Sequence, residues 1–256
     1  MRFHATLVAT SLTYATFLSA APKIDESLRE KLSPLVREAQ SRPDPVSMKS
    51  GIKLQLDVDD GKVPNGLTFK VEPVPGTPVS TDGGENGVAP GLYDILLNVG
   101  EKPIFQKSFL AVAGMVSDLH LRYGAKKGFE LRQTLDLPQI KFMPGKVLLS
   151  RTSQADIRQI AKFMEAEEEL RVLGIEVHTD AGGNENSNIE LTTARAIQVR
   201  NALVKLGIDP QRIRAQGQGS AHPLVPNDSK ENRVKNRRTE FVVVETNQPS
   251  ALVGDR

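Results

Sequence analysis

The stretch from Gly174 to Val244 constrains the fold most, because its strands and helix each carry their own start and stop signals. Ile175, Val177 and Thr179 alternate with Glu176, His178 and Asp180, the period-two pattern of a half-buried strand. Gly182-Gly183-Asn184 breaks that strand, and polar residues run on to about Asn188. Ile189, Ala196, Val199, Leu203 and Leu206 then fall on one face at helical spacing, with Gly207 as the stop and Pro210 just beyond. Arg212-Ile213-Arg214-Ala215 reads as a short strand. From Gln216 to Lys235 the chain is polar and punctuated by Gly217, Gly219, Pro223 and Pro226, so a long surface loop of functional type is expected. Thr239 to Val244 is the last strand, and its Phe-Val-Val-Val run suits a strand covered on both faces.

Upstream, Ser153-Gln154-Ala155-Asp156 has the form of a capping box. Ile157, Ile160, Ala161 and Met164 follow it as the apolar stripe of a helix. Leu137 to Leu149, around Pro138 and Pro144, is expected to supply the first strand. The predicted order is βαβαββ, in which two βαβ crossovers pack helices on one sheet as a two-layer α/β sandwich.

Several motifs recur through this region: Thr179-Asp180 before a Gly/Asn loop, Leu191-Thr192-Thr193-Ala194-Arg195-Ala196, Gly217-Gln218-Gly219, and Asn236-Arg237-Arg238 before a Val-rich strand. In this order and spacing they resemble the C-terminal domain of the OmpA family, which includes peptidoglycan-associated lipoproteins and flagellar stator proteins. The resemblance covers about residues 137–245. It departs from the family pattern at Ser220, where an acid is common, at Asn232, where Gly often precedes Arg233, and at Thr239, where Val is usual. The first strand reads Lys141-Phe142-Met143-Pro144 instead of carrying an F-D motif.

Asp180 closes a strand and Arg195 lies in the helix that follows, so a helix returning across the sheet can bring both to one rim. A carboxylate beside a guanidinium fork is complementary to a zwitterion: the first holds an ammonium group, the second a carboxylate in bidentate fashion. An Asp and an Arg so placed in an arbitrary domain more often form a surface ion pair worth about 0–1 kcal/mol. The resemblance implies more. In the family these two positions contact the side-chain end of meso-diaminopimelate in peptidoglycan stem peptides, and Thr179, Leu191, Asn236 and Arg238 match positions that line or support the pocket. Of the adjacent Arg237 and Arg238, at most one is expected to reach the pocket, because neighbouring strand residues face opposite ways.

The rest of the 256-residue chain divides into segments. Residues 1–20 read as a secretory signal peptide, with Arg2 as its positive end, an uncharged run from Ala5 to Phe17, and cleavage expected after Ala20. An uncleaved anchor is the alternative, at the short limit for a spanning helix. Residues 21–48 are expected to hold a short helix over 23–40 and a linker at Ser41-Arg42-Pro43-Asp44-Pro45. Residues 49–128 change character, with alternating runs at Ile52–Val58, Leu67–Val71, Leu92–Val99, Ile104–Val112 and Leu119–Tyr123, separated by turns such as Asp60-Gly61 and Asp82-Gly83-Gly84. They predict a small antiparallel β-sandwich. Residues 129–246 form the OmpA-like domain and 247–256 a tail. The fold class is therefore α+β, and the N-terminal strands are too few to suggest a membrane barrel.

The chain has no cysteine, which removes disulfides, thiolate metal ligands and a lipidated cysteine. Net charge is +2, and the basic cluster of Lys230, Arg233, Lys235, Arg237 and Arg238 has no aromatics between its members for base stacking, so no nucleic-acid partner is expected. Asp57, Asp59 and Asp60 before Gly61 lack the spacing and closing Glu of an EF-hand loop, and a hairpin turn is the better reading. No nucleophile motif appears, His4, His120, His178 and His222 are scattered, and no metal, cofactor or catalytic residue is expected. The sequence thus predicts a non-catalytic protein of the periplasm or outer-membrane periphery, anchored to peptidoglycan. The alternative is a protein-interaction adaptor whose OmpA-like domain has lost wall binding, with an envelope protein held by the β domain.

Overall fold

The computed structural model describes residues 6–7, 15–16, 51–59, 64–75 and 90–247. The expected cleavage site, the helix over 23–40, the linker at 41–45, the turns at Asp60-Gly61 and Asp82-Gly83-Gly84, and the tail beyond Asn247 lie outside these residues. Two compact units are present, divided between Thr134 and Leu135, with the second ending at Asn247.

The first unit is built from β1 (Thr6–Leu7), β2 (Ala15–Thr16), β3 (Gly51–Val58), β4 (Leu67–Pro73), β5 (Gly91–Val99), β6 (Lys102–Ala111), β7 (Val116–Gly124) and β8 (Gly128–Leu135). β2-β4-β5-β6 form one sheet, while β1, β3, β7 and β8 are neighbours in another. Both contribute to one core: Leu67, Phe69, Ile95, Leu97 and Phe109 from the first, Ile52, Leu54, Leu119 and Leu121 from the second. Tyr93 stacks on Phe109 across the β5–β6 ladder, with ring centroids 5.8 Å apart. The expected sandwich of facing sheets is thus present, with one departure from antiparallel pairing. β3 and β7 run parallel, with Leu54 opposite Leu119, because the three strands between them belong to the other sheet. β8 lies outside the predicted strands: Phe129, Leu131 and Leu135 alternate with polar residues, but the polar Gln133 breaks the apolar face between them. It brings in Gln133, which is buried yet satisfied: Nε2 donates to Leu110 O (2.6 Å) and Ser117 Oγ (3.0 Å), and Oε1 accepts from Leu110 N (3.0 Å). A buried amide without these bonds would cost about 1–3 kcal/mol.

The second unit contains α1 (Ser153–Ala166), β9 (Leu170–His178), α2 (Glu185–Lys205), a 3₁₀ turn (Pro210–Arg212), β10 (Ile213–Gly219), α3 (Lys230–Asn236) and β11 (Thr239–Thr246). β9 is central, with β10 parallel on one side and β11 antiparallel on the other. Leu173, Ile175, Val177, Ile213 and Phe241 from the sheet, Ile157, Ile160 and Met164 from α1, and Ala196, Val199 and Leu203 from α2 are all buried. Ile189 and Leu206, expected on the same helical stripe, are exposed.

Three local expectations are corrected. The first strand, over Leu137–Leu149, is reduced to the bridge Phe142–Leu149. Pro138 and Pro144 cannot donate to a ladder, and Gln139 instead uses its side chain on β11, donating through Nε2 to Thr239 O (3.0 Å) and accepting through Oε1 from Thr239 N (3.2 Å). Ser153 does not cap α1. Its hydroxyl donates to Lys141 O (2.9 Å) and accepts from Lys141 N (2.8 Å), tying the 141–150 loop to the helix. The expected loop over Gln216–Lys235 in fact carries the end of β10 and most of α3, whose N-cap is Ser229, accepting from Asn232 N (3.1 Å).

Candidate functional site

Asp180 lies just beyond the C-terminal end of β9, where the strand gives way to the Ala181–Gly183 turn. Asn184 starts α2, its side chain accepting from Asn186 N (2.8 Å). The start of this helix lies hard against β10. A Cβ on Gly217 would stand 2.2 Å from Thr193 N, so only glycine allows the approach. Gly219, at φ +55°, donates its N–H to Thr192 Oγ1 (3.0 Å), and its carbonyl accepts from Thr179 N (2.9 Å). Ser220, where the family pattern has an acid, meets an acid from the opposite side: its N–H donates to Glu185 Oε1 (3.0 Å) and its hydroxyl to Oε2. The G-x-G segment therefore fixes both Thr179 and the helix carrying Arg195.

Arg195 is 9% exposed. Its Nε donates to Lys146 O (3.0 Å) and its guanidinium carbon lies 4.9 Å from the centre of the Phe142 ring. The 141–150 loop, although not a strand, thus forms a wall of the site and sets the plane of the fork. Burial, and then the nearby Arg237 guanidinium, lower the Arg195 pKa. That direction marks a desolvated cation beside a second cation, a location that favours an anion.

The acid and Arg195 do not pair directly. Asp180 is ion-paired with Arg237 Nη1 instead. The two adjacent arginines diverge, but between the end of α3 and the start of β11 rather than within a strand, and the one that reaches Asp180 is Arg237, not Arg238. Arg238 turns to Glu240, with Nε 2.5 Å from Oε1, and to His222 O (3.1 Å). Arg237 is the member that sequence reasoning passed over. Its signal was the same motif, with the choice between neighbours decided by α3 ending at Asn236, immediately before the pair.

Asn236 is fully buried and acts at one remove. Its Oδ1 accepts from Leu224 N (2.9 Å) and Val225 N (3.1 Å), and its Nδ2 donates to Val225 O (2.8 Å) and Asn227 Oδ1 (2.9 Å). Asn227 Oδ1 in turn accepts from Ala181 N (3.2 Å), so the 224–227 loop is fastened to the turn beside Asp180. Thr179 is buried behind the acid, and Leu191 is half-buried one helical turn before Arg195.

A second group of polar side chains lies on the sheet, outside this rim. Glu176, His178 and Glu240 bring one ligating atom each to within 4.8 Å of the others. The scattered histidines of the sequence had suggested no such cluster, because its members come from two strands far apart in the chain.

The second unit is an α/β domain presenting a carboxylate and two guanidinium groups at one end of its sheet. The OmpA family model matches residues 141–237, and the C-terminal unit is an OmpA-like domain. Over 104 residues the chain is 35% identical to outer membrane porin F of Pseudomonas fluorescens, covering 41% of this chain and 32% of that one. It is 38% identical over 87 residues to the peptidoglycan-binding protein ArfA of Mycobacterium tuberculosis, covering 34% and 26%. The crystal structure of the peptidoglycan-associated lipoprotein from Burkholderia pseudomallei aligns at 26% identity and a TM-score of 0.38, covering 41% of this chain and 87% of that one. The chain spans about a third or less of the length of these curated relatives. Among the described residues no helix is long and apolar enough to cross a membrane.

Proposed function

We propose that the C-terminal unit binds peptidoglycan non-covalently, taking the zwitterionic end of a meso-diaminopimelate side chain between Asp180 and the Arg195–Arg237 pair. The observation that carries this reading is the charge arrangement: two neighbouring guanidinium groups stand beside one carboxylate, leaving an excess positive charge at a partly desolvated position. A ligand carboxylate on Arg195 relieves the repulsion between the arginines. A ligand ammonium on Asp180 replaces the contact that Arg237 gives up. Thr179, Leu191 and Asn236 support the walls. Arg238 belongs to the rim facing Glu240.

The groups meeting here are cations and an already paired carboxylate, which suits retention of a ligand rather than its turnover. The resemblance of the sequence to a peptidoglycan-binding relative supports the same ligand class. On this reading the protein resides in the envelope, at the periplasm or the inner side of the outer membrane, and tethers its β-sandwich unit, with any protein that unit holds, to the wall.

The test is co-sedimentation of the full chain with purified diaminopimelate-type sacculi, alongside Asp180→Ala and Arg195→Ala. Loss of a charge-assisted hydrogen bond costs about 1.5–3 kcal/mol, roughly ten- to a hundredfold in affinity. Wild-type retention with release of both variants is the expected result. A wild-type chain left in the supernatant would overturn the proposal and favour the adaptor reading.

A further inference from the structure

The C-terminal sheet carries an arrangement that the wall-binding site does not use. Glu176 on β9 and Glu240 on β11 are direct cross-strand partners in the antiparallel ladder. Like charges opposed in this way destabilise a sheet unless something positive stands between them. His178, two residues on from Glu176 and therefore on the same face, is 4% exposed. Its Nε2 lies 4.0 Å from Glu176 Oε2 and 3.8 Å from Glu240 Oε2. Arg238 holds the other oxygen of Glu240, Oε1. The carboxylate is thereby oriented with Oε2 towards the imidazole, as an outer partner orients a metal ligand.

We propose that Glu176, His178 and Glu240 form a binding site for a divalent transition-metal ion of the zinc type. The donor set is one imidazole nitrogen and two carboxylate oxygens, which suits Zn²⁺ and its first-row neighbours better than Ca²⁺ or Mg²⁺, whose shells are all oxygen, or thiolate-seeking ions. Ligands at about 2.0–2.2 Å from zinc stand roughly 3–3.5 Å apart. The His178–glutamate separations of 4.0 and 3.8 Å exceed this, and the three ligating atoms lie within 4.8 Å of one another, so both carboxylates must shift inward to close on an ion. Both glutamate side chains retain some solvent exposure, 20% and 18%, so a water can complete the coordination. The ion would clip β9 to β11 just behind Asp180 and offset the cross-strand repulsion. It rests on residues separate from Asp180, Arg195 and Arg237, and is independent of the wall-binding reading.

The experiment uses the full chain, stripped with EDTA and then titrated with Zn²⁺ by calorimetry, beside His178→Gln and Glu240→Gln. One equivalent bound by the wild type, at least tenfold weaker binding in each variant, and a metal-dependent rise in Tm of the wild type alone are expected. No uptake by the wild type at tenfold excess, or unchanged uptake by both variants, would overturn the proposal. Should either variant fail to fold, NMR of the wild type decides between the outcomes. The His178 ring signals must shift as Zn²⁺ is added, and if other histidines shift while His178 does not, the site is refuted.

Discussion

Single side chains in this protein are placed by the ends of the elements that carry them. Arg237 and Arg238 are chemically alike, yet one neutralises Asp180 and the other orients Glu240, because the chain leaves α3 and enters β11 across this pair. Glu167 shows the opposite situation, a charge set where its surroundings disfavour it. It is the C-cap of α1, whose last turn has no basic residue, and burial raises its carboxyl pKa. An acid whose pKa is raised on folding stabilises the fold only while protonated, and that contribution is lost as pH rises through the folded value. At neutral pH the charge also opposes the negative end of the helix, an effect of about 0.3–1 kcal/mol. Glu167→Gln is therefore expected to raise Tm at pH 7 by a few degrees. At pH 3, where wild-type Glu167 is protonated, the two thermal unfolding curves are expected to coincide. A gain that persists unchanged at pH 3 would assign it to something other than the charge.

At the scale of elements, the close approach of α2 to β10 at Gly217 sets where the helix carrying Arg195 lies. A Cβ at Gly217 would meet backbone nitrogen and two threonine hydroxyls, none of which is the far end of a flexible side chain. Gly217→Ala is expected to cost about 1–3 kcal/mol, typical of overpacking, seen as a lower denaturation midpoint at unchanged m-value. It should also weaken sacculus binding, since Arg195 rides on the displaced helix. Much of this part of the fold was legible in the sequence: Ile175 to Asp180 alternate, although β9 is buried on both faces along most of its length, His178 included; α2 has a Gly/Asn loop before it and Gly207 after it; and the resemblance pointed to Asp180 and Arg195. Other parts were not legible, for physical reasons. Gln139 replaces a ladder with side-chain bonds, which no periodicity reveals. Ser153 bonds to Lys141 rather than capping its own helix, a tertiary choice invisible to a capping pattern. β8 hides its buried face behind Gln133, a polar residue that is tolerated there only because three hydrogen bonds satisfy it. The Glu176–His178–Glu240 cluster needed the β9–β11 register before it existed at all.

At the scale of the whole chain, each unit has its own apolar core, so on the proposed reading the residues that stabilise the first unit are separate from those that bind. Phe109 is fully buried among residues of both sheets of the first unit and stacks on Tyr93. The second unit is closed by Ile160, Met164, Leu173, Ile175, Leu203 and Phe241, all fully buried and all between Leu135 and Asn247. A fragment spanning those residues has the core, the loop wall at Phe142, the Asp180–Arg237 pair and the Asn236 network in one piece. It is expected to unfold cooperatively in denaturant and to keep the sacculus affinity of the full chain. Phe109→Ala in the full chain, a truncation costing about 3–5 kcal/mol, is expected to lower the stability of the first unit while leaving sacculus binding unchanged. If binding falls with Phe109→Ala although the isolated fragment binds normally, the β-sandwich governs access to the wall site. If the fragment itself fails to bind while the full chain does, residues before Leu135 contribute directly to the ligand.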